Sequence, residues 1–312
     1  MHSARTETDR ASGKENAMAV TYILYNPHAS STDTDPTLRS LRERGKDAIP
    51  INICRISSYR TFFSGLEADA AVVLCGGDGT LNLFANGIKG LPIRNSIYYL
   101  PTGTGNDFAR DLGDVRPLPI NRYLSRLPEV TIDGERRLFV NNVGFGLDGY
   151  CCETADNVRR TADGTGKHRR ISYAKIALGG LLHRFRPRNA TVTVDGKSRS
   201  YKKVWLAPVM NGRYYGGGIM AAPEQNRLDS HGAVSLAVIH GLGRLRALTV
   251  FPSVFKGRHV RHKRYVSIFE GNTIRVEFDR PTPLQIDGET VHGVTWYSVT
   301  SPVPCIVGGD GA

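Results

Sequence analysis

Three short stretches combine acids with glycines at spacings suited to phosphate chemistry. Val72 to Asn82 reads VVLCGGDGTLN, an apolar run that ends in Gly76, Gly77, Asp78 and Gly79. Leu100 to Arg110 reads LPTGTGNDFAR, with Thr104 between two glycines and Asp107 just beyond them. Leu284 to Glu289 reads LQIDGE, which sets Asp287 and Glu289 one residue apart. Glycine lets another group come close to the main chain, and free N–H groups at a helix start attract anions. A carboxylate standing among phosphates needs a cation to mediate, and Mg²⁺ binds carboxylate, water and phosphate oxygens together. Asp78 and Asp107 are therefore candidates to hold Mg²⁺, directly or through water. The Asp287-Gly288-Glu289 turn offers an acid that could take the proton of an attacking hydroxyl. Asp-Gly is equally the commonest hairpin signal, and by composition alone the hairpin is the stronger reading.

The surrounding pattern has to bring these stretches together. A β-type run over Val20 to Tyr25 leads into the turn NPHASS, which begins at Asn26, and then into an amphipathic helix over Pro36 to Arg44. Strands at Ala48 to Ile53, Ala70 to Cys75 and Ser96 to Leu100 alternate with a helix near Tyr59 to Leu66 and another carrying Leu81, Phe84 and Ile88. Such alternation predicts a parallel, doubly wound α/β domain, whose ligands gather at the carboxyl ends of the strands. The three turns that follow strands should converge there. Beyond residue 138 short alternating runs such as TVTVDG, AVSLAVI, TIRVEF and TWYSVT predict an antiparallel β-sandwich or barrel, with helices at Ile171 to Arg184 and Leu242 to Phe255. The expected organisation is a polar, disordered extension over 1–17, with Met18 a second candidate start, a nucleotide-binding domain over 18–137, and a β-rich substrate domain over 138–299. Asp195-Gly196 reads as a turn. GTGKH at Gly164 to His168 lacks the leading glycine and the Ser/Thr of a Walker loop, so it reads as a mobile basic loop. GFGLDG at Gly144 to Gly149 precedes no βαβ unit and does not read as a dinucleotide site.

Lys and Arg number 41 against 29 Asp and Glu. Residues 138–299 hold 24 basic against 12 acidic residues, so 17 against 17 remain elsewhere and all the excess positive charge lies in the later half. Clusters such as HRFRPR and KGRHVRHKR attract anionic lipid headgroups or nucleic acid. They lack the aromatic interleaving that stacks single-stranded bases, which turns the reading away from nucleic acid. Five cysteines without CxxC or zinc spacing indicate a reduced, cytoplasmic protein. No apolar run approaches the roughly 18 residues of a membrane span, so membrane contact should be peripheral.

Taken in order, GGDGTLN, LPTGTGNDFAR, VNNVGFGLDG, GGGIMAAP and LQIDGE resemble the diacylglycerol kinase catalytic-domain family, which includes bacterial lipid kinases and sphingosine kinases. The resemblance runs from about Val20 to about residue 306; GGDG alone is shared with NAD kinases and phosphofructokinases. It implies an NAD kinase-like α/β domain, a C-terminal β-sandwich whose closing strand, over about 300–312, returns to the first domain, and ATP- and Mg²⁺-dependent phosphorylation of a lipid hydroxyl. By the same resemblance Gly76, Gly77, Asp78, Gly79, Thr80, Leu81 and Asn82 hold nucleotide phosphates, Thr104 contacts ATP, and Asn26 lines the pocket, although Ser30 stands where glycine is usual. Ser57 falls near a nucleotide-contacting threonine of relatives, across a loop of different length. Leu83 stands where the family often has glutamate. Glu289 would be the general base, Asp287 its orienting neighbour, and Asp78 would complete the catalytic set. A structural Mg²⁺ would sit at Pro223 to Asp229, on the Asp229 carboxylate and carbonyls near Asn226 and His231, with Ser230 replacing the family's glycine. The implied partners are a lipid substrate and an anionic membrane surface, and the family includes homodimers. The competing readings are an NAD kinase, favoured only by GGDGT, and a catalytically silent lipid- or nucleotide-binding regulator.

Overall fold

A computed structural model describes residues 20–27, 48–103, 105–113, 116–163 and 173–301. The expected 1–17 extension, the helix at 36–44, Ser30, Thr104, the basic loop at 164–168 and the closing strand beyond residue 301 lie outside the described residues.

Strands β1 (Thr21–Tyr25), β2 (Ala48–Asn52), β3 (Ala71–Gly76), β4 (Ser96–Pro101) and β5 (Leu118–Pro119) form one sheet in the order β2-β1-β3-β4-β5. The first four are parallel and β5 runs antiparallel to β4. Both faces of the sheet are covered, which is why β3 is apolar almost throughout. Val72 and Leu74 pack on one side with Leu81, Phe84, Ile97, Tyr99 and Phe108; Val73, Cys75, Ile23 and Leu100 fill the other. Helices α1 (Tyr59–Ser64), α2 (Asp78–Gly87), α3 (Asp107–Leu112) and α4 (Asn121–Leu124) complete this doubly wound α/β domain. Strand order runs in opposite directions from the β1/β3 pair, and in such sheets the crevice outside the strand ends at that point takes the ligand. The turns after β1 and β3 flank it.

The later half is an antiparallel β-sandwich. One sheet orders β10 (Lys197–Val204), β9 (Arg188–Val194), β16 (Thr273–Phe278), β19 (Trp296–Thr300), β6 (Glu129–Ile132) and β7 (Glu135–Leu138). The other orders β15 (Val266–Gly271), β14 (Val234–Ile239), β11 (Leu206–Met210), β8 (Asn142–Gly146), β17 (Leu284–Ile286) and β18 (Glu289–Val291). Val130, Val192, Val276 and Tyr297 of the first meet Val143, Phe145, Val209 and Leu236 of the second in the sandwich core. A two-stranded ribbon, β12 (Tyr214–Tyr215) with β13 (Ile219–Met220), projects toward the first domain. The hairpin β6-β7, on the N-terminal side of residue 138, pairs into the sandwich through β19.

Helices α5 (Leu147–Asp163), α6 (Tyr173–Gly179) and α7 (Arg244–Val254) cover the second sheet, with a π turn over Gly180–Arg184 continuing α6. Helix α5 was not expected from the sequence. Its inward residues, Leu147, Cys151, Cys152 and Ala155, keep helical spacing but are mostly small, and the helix starts inside GFGLDG, whose glycines are poor helix formers. The Asp195-Gly196 turn is as expected, with φ of 45° and 79° joining β9 to β10.

Candidate active site

The glycine turns meet because they are glycine. A Cβ on Gly103 would lie 2.6 Å from Gly77 Cα, and one on Gly76 2.5 Å from Thr80 Cβ. The Thr102 N–H donates to the Gly76 carbonyl at 2.9 Å and the Tyr99 hydroxyl to the same oxygen at 3.1 Å. From the first turn, Asn26 Nδ2 donates to Thr80 Oγ1 at 3.2 Å. The turns after β1, β3 and β4 thus converge at the N-terminus of α2, whose first-turn N–H groups have no helical acceptor. Gly77 caps that helix without a side-chain bond.

Gly79 is the informative glycine of this set. A Cβ there would meet nothing within 4 Å, and its φ is not positive, so neither packing nor backbone conformation calls for glycine. Alanine would favour the helix by roughly 0.5–1 kcal/mol. The family resemblance implies a reason for glycine here, the close approach of a nucleotide phosphate to the main chain. Gly79→Ala is therefore expected to raise Tm slightly while raising KM for ATP about tenfold or more. Thermal melts alongside ATP titrations check this; unchanged KM would remove the ligand from this turn.

Asp78 answers a structural need as well. Its Oδ2 and Oδ1 accept from the N–H groups of Asp107 (2.8 Å) and Phe108 (3.1 Å), capping α3, whose own N-cap residue, Asn106, makes no capping bond. Asp107 is buried, and its Oδ2 accepts from the Gly217 N–H at 2.7 Å. Its Oδ1 is buried with no hydrogen-bond partner. Burial first, and the Asp78 charge second, push Asp107 up to about 6 against the opposing N–H of Gly217 and the Arg110 guanidinium. This orphaned oxygen beside a second carboxylate fits a divalent cation that takes its remaining ligands from phosphate and water. Among the described residues no group of three or more His, Cys, Asp or Glu could hold a metal by itself.

The other lobe supplies Asp287 and Glu289. Asp287 and Gly288 form the two-residue loop between β17 and β18, with φ of 46° and 92°. The Asp287 carboxylate accepts four bonds: Oδ2 from Val140 N–H and from Asn82 Nδ2 (2.7 Å), Oδ1 from Asn141 N–H (2.7 Å) and Asn142 N–H (3.0 Å). Burial pushes Asp287 up, and these four donors oppose it. No hydrogen bond to Glu289 engages it among the described residues. Asn82, one helical turn after Asp78, is spent in the same junction: its amide hydrogens go to Asp287 and the Leu138 carbonyl, and its oxygen accepts from Asn86. It has no donor left for a phosphate. The Asp287 hairpin is thereby tied to the helix that bears Asp78, and Glu289 follows it with an exposed side chain that has no hydrogen bond among the described residues.

The remaining candidates divide. Leu81 is buried in the core, so only its backbone could meet a ligand, and Leu83 is exposed. Ser57 is exposed just beyond the 3-10 turn Ile53–Arg55, whose Cys54 Sγ lies 3.9 Å from Asn26 Oδ1. At the expected structural metal site the Asn226 carbonyl accepts from Asp229 N–H at 3.1 Å and from Gln225 Nε2 at 3.3 Å. Asp229 Oδ2 accepts from the N–H groups of His231 (2.9 Å) and Ala233 (3.3 Å), Asn226 Oδ1 from Leu228 N–H, and the Arg126 guanidinium lies on the Leu228 and Asp229 carbonyls. Asp229 Oδ1 and the His231 carbonyl accept no hydrogen bond among the described residues.

The sequence reading missed the joint between the lobes. Buried Arg227 donates to Asp111 at 2.6 Å, to the Val140 carbonyl and to Asn141 Oδ1, and stacks over Phe108 with its guanidinium carbon 4.8 Å from the ring centre. Arg213 donates to the other Asp111 oxygen at 2.6 Å. Scattered single residues give no local signal of such a junction. GFGLDG also has a structural use: Cβ atoms on Gly144, Gly146 and Gly149 would collide with Pro208, Trp205 and Pro283. Its Asp148 is buried, with Oδ1 accepting from Gly149 N–H and Oδ2 unpartnered. Burial raises it to about 6. A raised carboxylate holds in the folded state a proton that the unfolded chain releases, so stability falls as pH rises from the ordinary 3.8 to about 6. Asp148→Asn is expected to flatten that part of a Tm-against-pH profile and to stabilise the protein near pH 7 by up to about 3 kcal/mol; an unchanged slope would contradict it.

A parallel sheet with glycine-rich turns at its strand ends, joined to a β-sandwich that carries the Asp287-Glu289 hairpin, defines an NAD kinase-like two-domain architecture. The diacylglycerol kinase catalytic domain matches residues 20–130 and the YegS C-terminal NAD kinase beta sandwich-like domain residues 141–304, and the chain belongs to this diacylglycerol kinase catalytic-domain family. It is similar to a diacylglycerol kinase of Mycobacterium tuberculosis, 29% identical over 83% of this chain and 84% of that protein. A diacylglycerol kinase of Bacillus subtilis is 25% identical over 70% of each chain. The crystal structure of a diacylglycerol kinase from Bacillus anthracis shares the fold, with a TM-score of 0.56 at 18% identity over 91% of this chain and 94% of that one.

Proposed function

We propose that this protein is an ATP- and Mg²⁺-dependent lipid kinase that transfers the γ-phosphoryl group to a lipid hydroxyl. The observation that carries the reading is the junction itself: three phosphate-type turns meet at one helix start, and the Asp287-Glu289 hairpin is bonded to that same helix. First-turn N–H groups of α2 take the phosphates. Asp107, in the field of Asp78, would hold Mg²⁺, which when bound offsets charge on the phosphates. Glu289 accepts the proton of the acceptor hydroxyl as its oxygen bonds to the γ-phosphorus and the bond to the ADP oxygen breaks. Asp287 fixes the hairpin that presents Glu289. The family and the named relatives support a lipid acceptor.

Incubation with labelled ATP, Mg²⁺ and either a lipid extract or NAD tests the reading. Label is expected in lipid. Label in NADP would make the protein an NAD kinase, and label in neither would leave a silent binding protein.

A further inference from the structure

We infer that the outer face formed by α6, its π turn and α7 docks on an anionic lipid bilayer, with Leu178, Leu182 and Leu245 entering the headgroup region. The purpose of this surface rests on the lipid-kinase reading. Leu178 and Leu182 lie four residues apart at the end of α6 and in the π turn, and are 51% and 47% exposed. Helix α7 is locked beside them: the Arg244 guanidinium donates to the carbonyls of Gly180, Leu181, His183 and Phe185, at 3.0 Å for Leu181 and 2.9 Å for Phe185. The next residue, Leu245, is 85% exposed, and Phe255 at the far end of α7 is 54% exposed.

Packing does not require these side chains. The inner side of the layer already has its apolar contacts, from Leu181, Phe185, Leu242, Val250 and Phe251 around Trp205. Among the described residues there are six exposed large hydrophobic side chains, and four of them lie here. The segments that form this face are basic, and the acids of the adjoining helix α5 are engaged, Asp156 by Arg159 at 2.8 Å and Glu153 by His292 at 3.2 Å. Residues 175–194 and 230–269 contain eleven Lys or Arg and no Asp or Glu. Aliphatic side chains carried on basic segments match an anionic headgroup layer over acyl chains. On a nucleic-acid surface the exposed leucines would face phosphates, and Tyr265, an aromatic ring among these cations, has Arg246 and Arg264 at 5.3 and 5.6 Å from its centre. The cluster beneath the layer includes Leu147 and Cys151 of α5, so a bilayer held here adjoins the part of the sandwich that carries β8.

The test is sedimentation with phosphatidylcholine vesicles carrying about a third phosphatidylglycerol, compared with pure phosphatidylcholine. The wild-type protein is expected to bind the anionic vesicles at least about tenfold better, an advantage that shrinks with salt. The triple variant Leu178→Ser, Leu182→Ser, Leu245→Ser is expected to lose about tenfold or more of that binding with an unchanged Tm. Equal binding of the variant, equal binding to neutral vesicles, or binding to RNA but not vesicles would each overturn the proposal. Phosphorylation of a short-chain lipid kept below its critical micelle concentration should be the same for both proteins, because no surface is then needed. If neither phosphorylates that lipid while vesicle binding still responds, the kinase reading fails and the docking face stands. Monomeric lipid phosphorylated together with unresponsive vesicle binding gives the reverse.

Discussion

Glu289→Gln is expected to lower kcat by about two to four orders of magnitude, the usual worth of a general base, with Tm and KM for ATP at wild-type values. The side chain is exposed and makes no hydrogen bond among the described residues, so the amide removes little from the fold. The change is isosteric, which leaves loss of the proton acceptor as the main difference. Single-turnover measurement with lipid and labelled ATP, alongside thermal melts, checks this. Full turnover by the variant would remove Glu289 from the chemistry and require another acceptor for the hydroxyl proton.

Two residues earlier the expectation is of another kind. Asp287→Ala strips the acceptor from four donors, three of them main-chain N–H groups and one the Asn82 amide. A donor left without its acceptor costs about 1–3 kcal/mol, and alanine also tolerates the positive φ of 46° less well. A fall in Tm on the order of 10 °C is expected, with activity lost because the joint between lobes opens. Asp287→Asn should fall between: asparagine accepts the left-handed conformation, but its NH₂ would face donors. Activity lost from Asp287→Ala at an unchanged Tm would show that the carboxylate acts in the chemistry and is not a clamp.

The DGE loop is a two-residue hairpin and also the element that reaches α2, through Asn82. Asp195, in a turn of the same sequence, has a similar anchoring use, its Oδ1 accepting from Asn272 and Thr273 N–H. Local composition gives the turn in both cases. What lies opposite the aspartate makes one of them part of a junction and leaves the other at a sheet edge.

The apolar runs and their periods determined the strands of the α/β domain, the antiparallel character of the later half and the position of α7, because burial selects residue type locally along each element. The order of glycine turns and acids likewise marked the convergence of Asn26, Thr80, Gly77, Gly103, Asp78 and Asp107. Tertiary structure alone decided the rest. It spent Asn82 on the joint between lobes, gave Asp78 a helix to cap, set Arg126 on the Leu228 and Asp229 carbonyls, and assembled Asp111, Arg213 and Arg227 from distant segments. It also aimed Leu178, Leu182 and Leu245 outward. Hydrogen bonds between residues a hundred or more positions apart leave no period and no motif in a single chain, so which donor meets which acceptor is settled only when the two lobes are packed together.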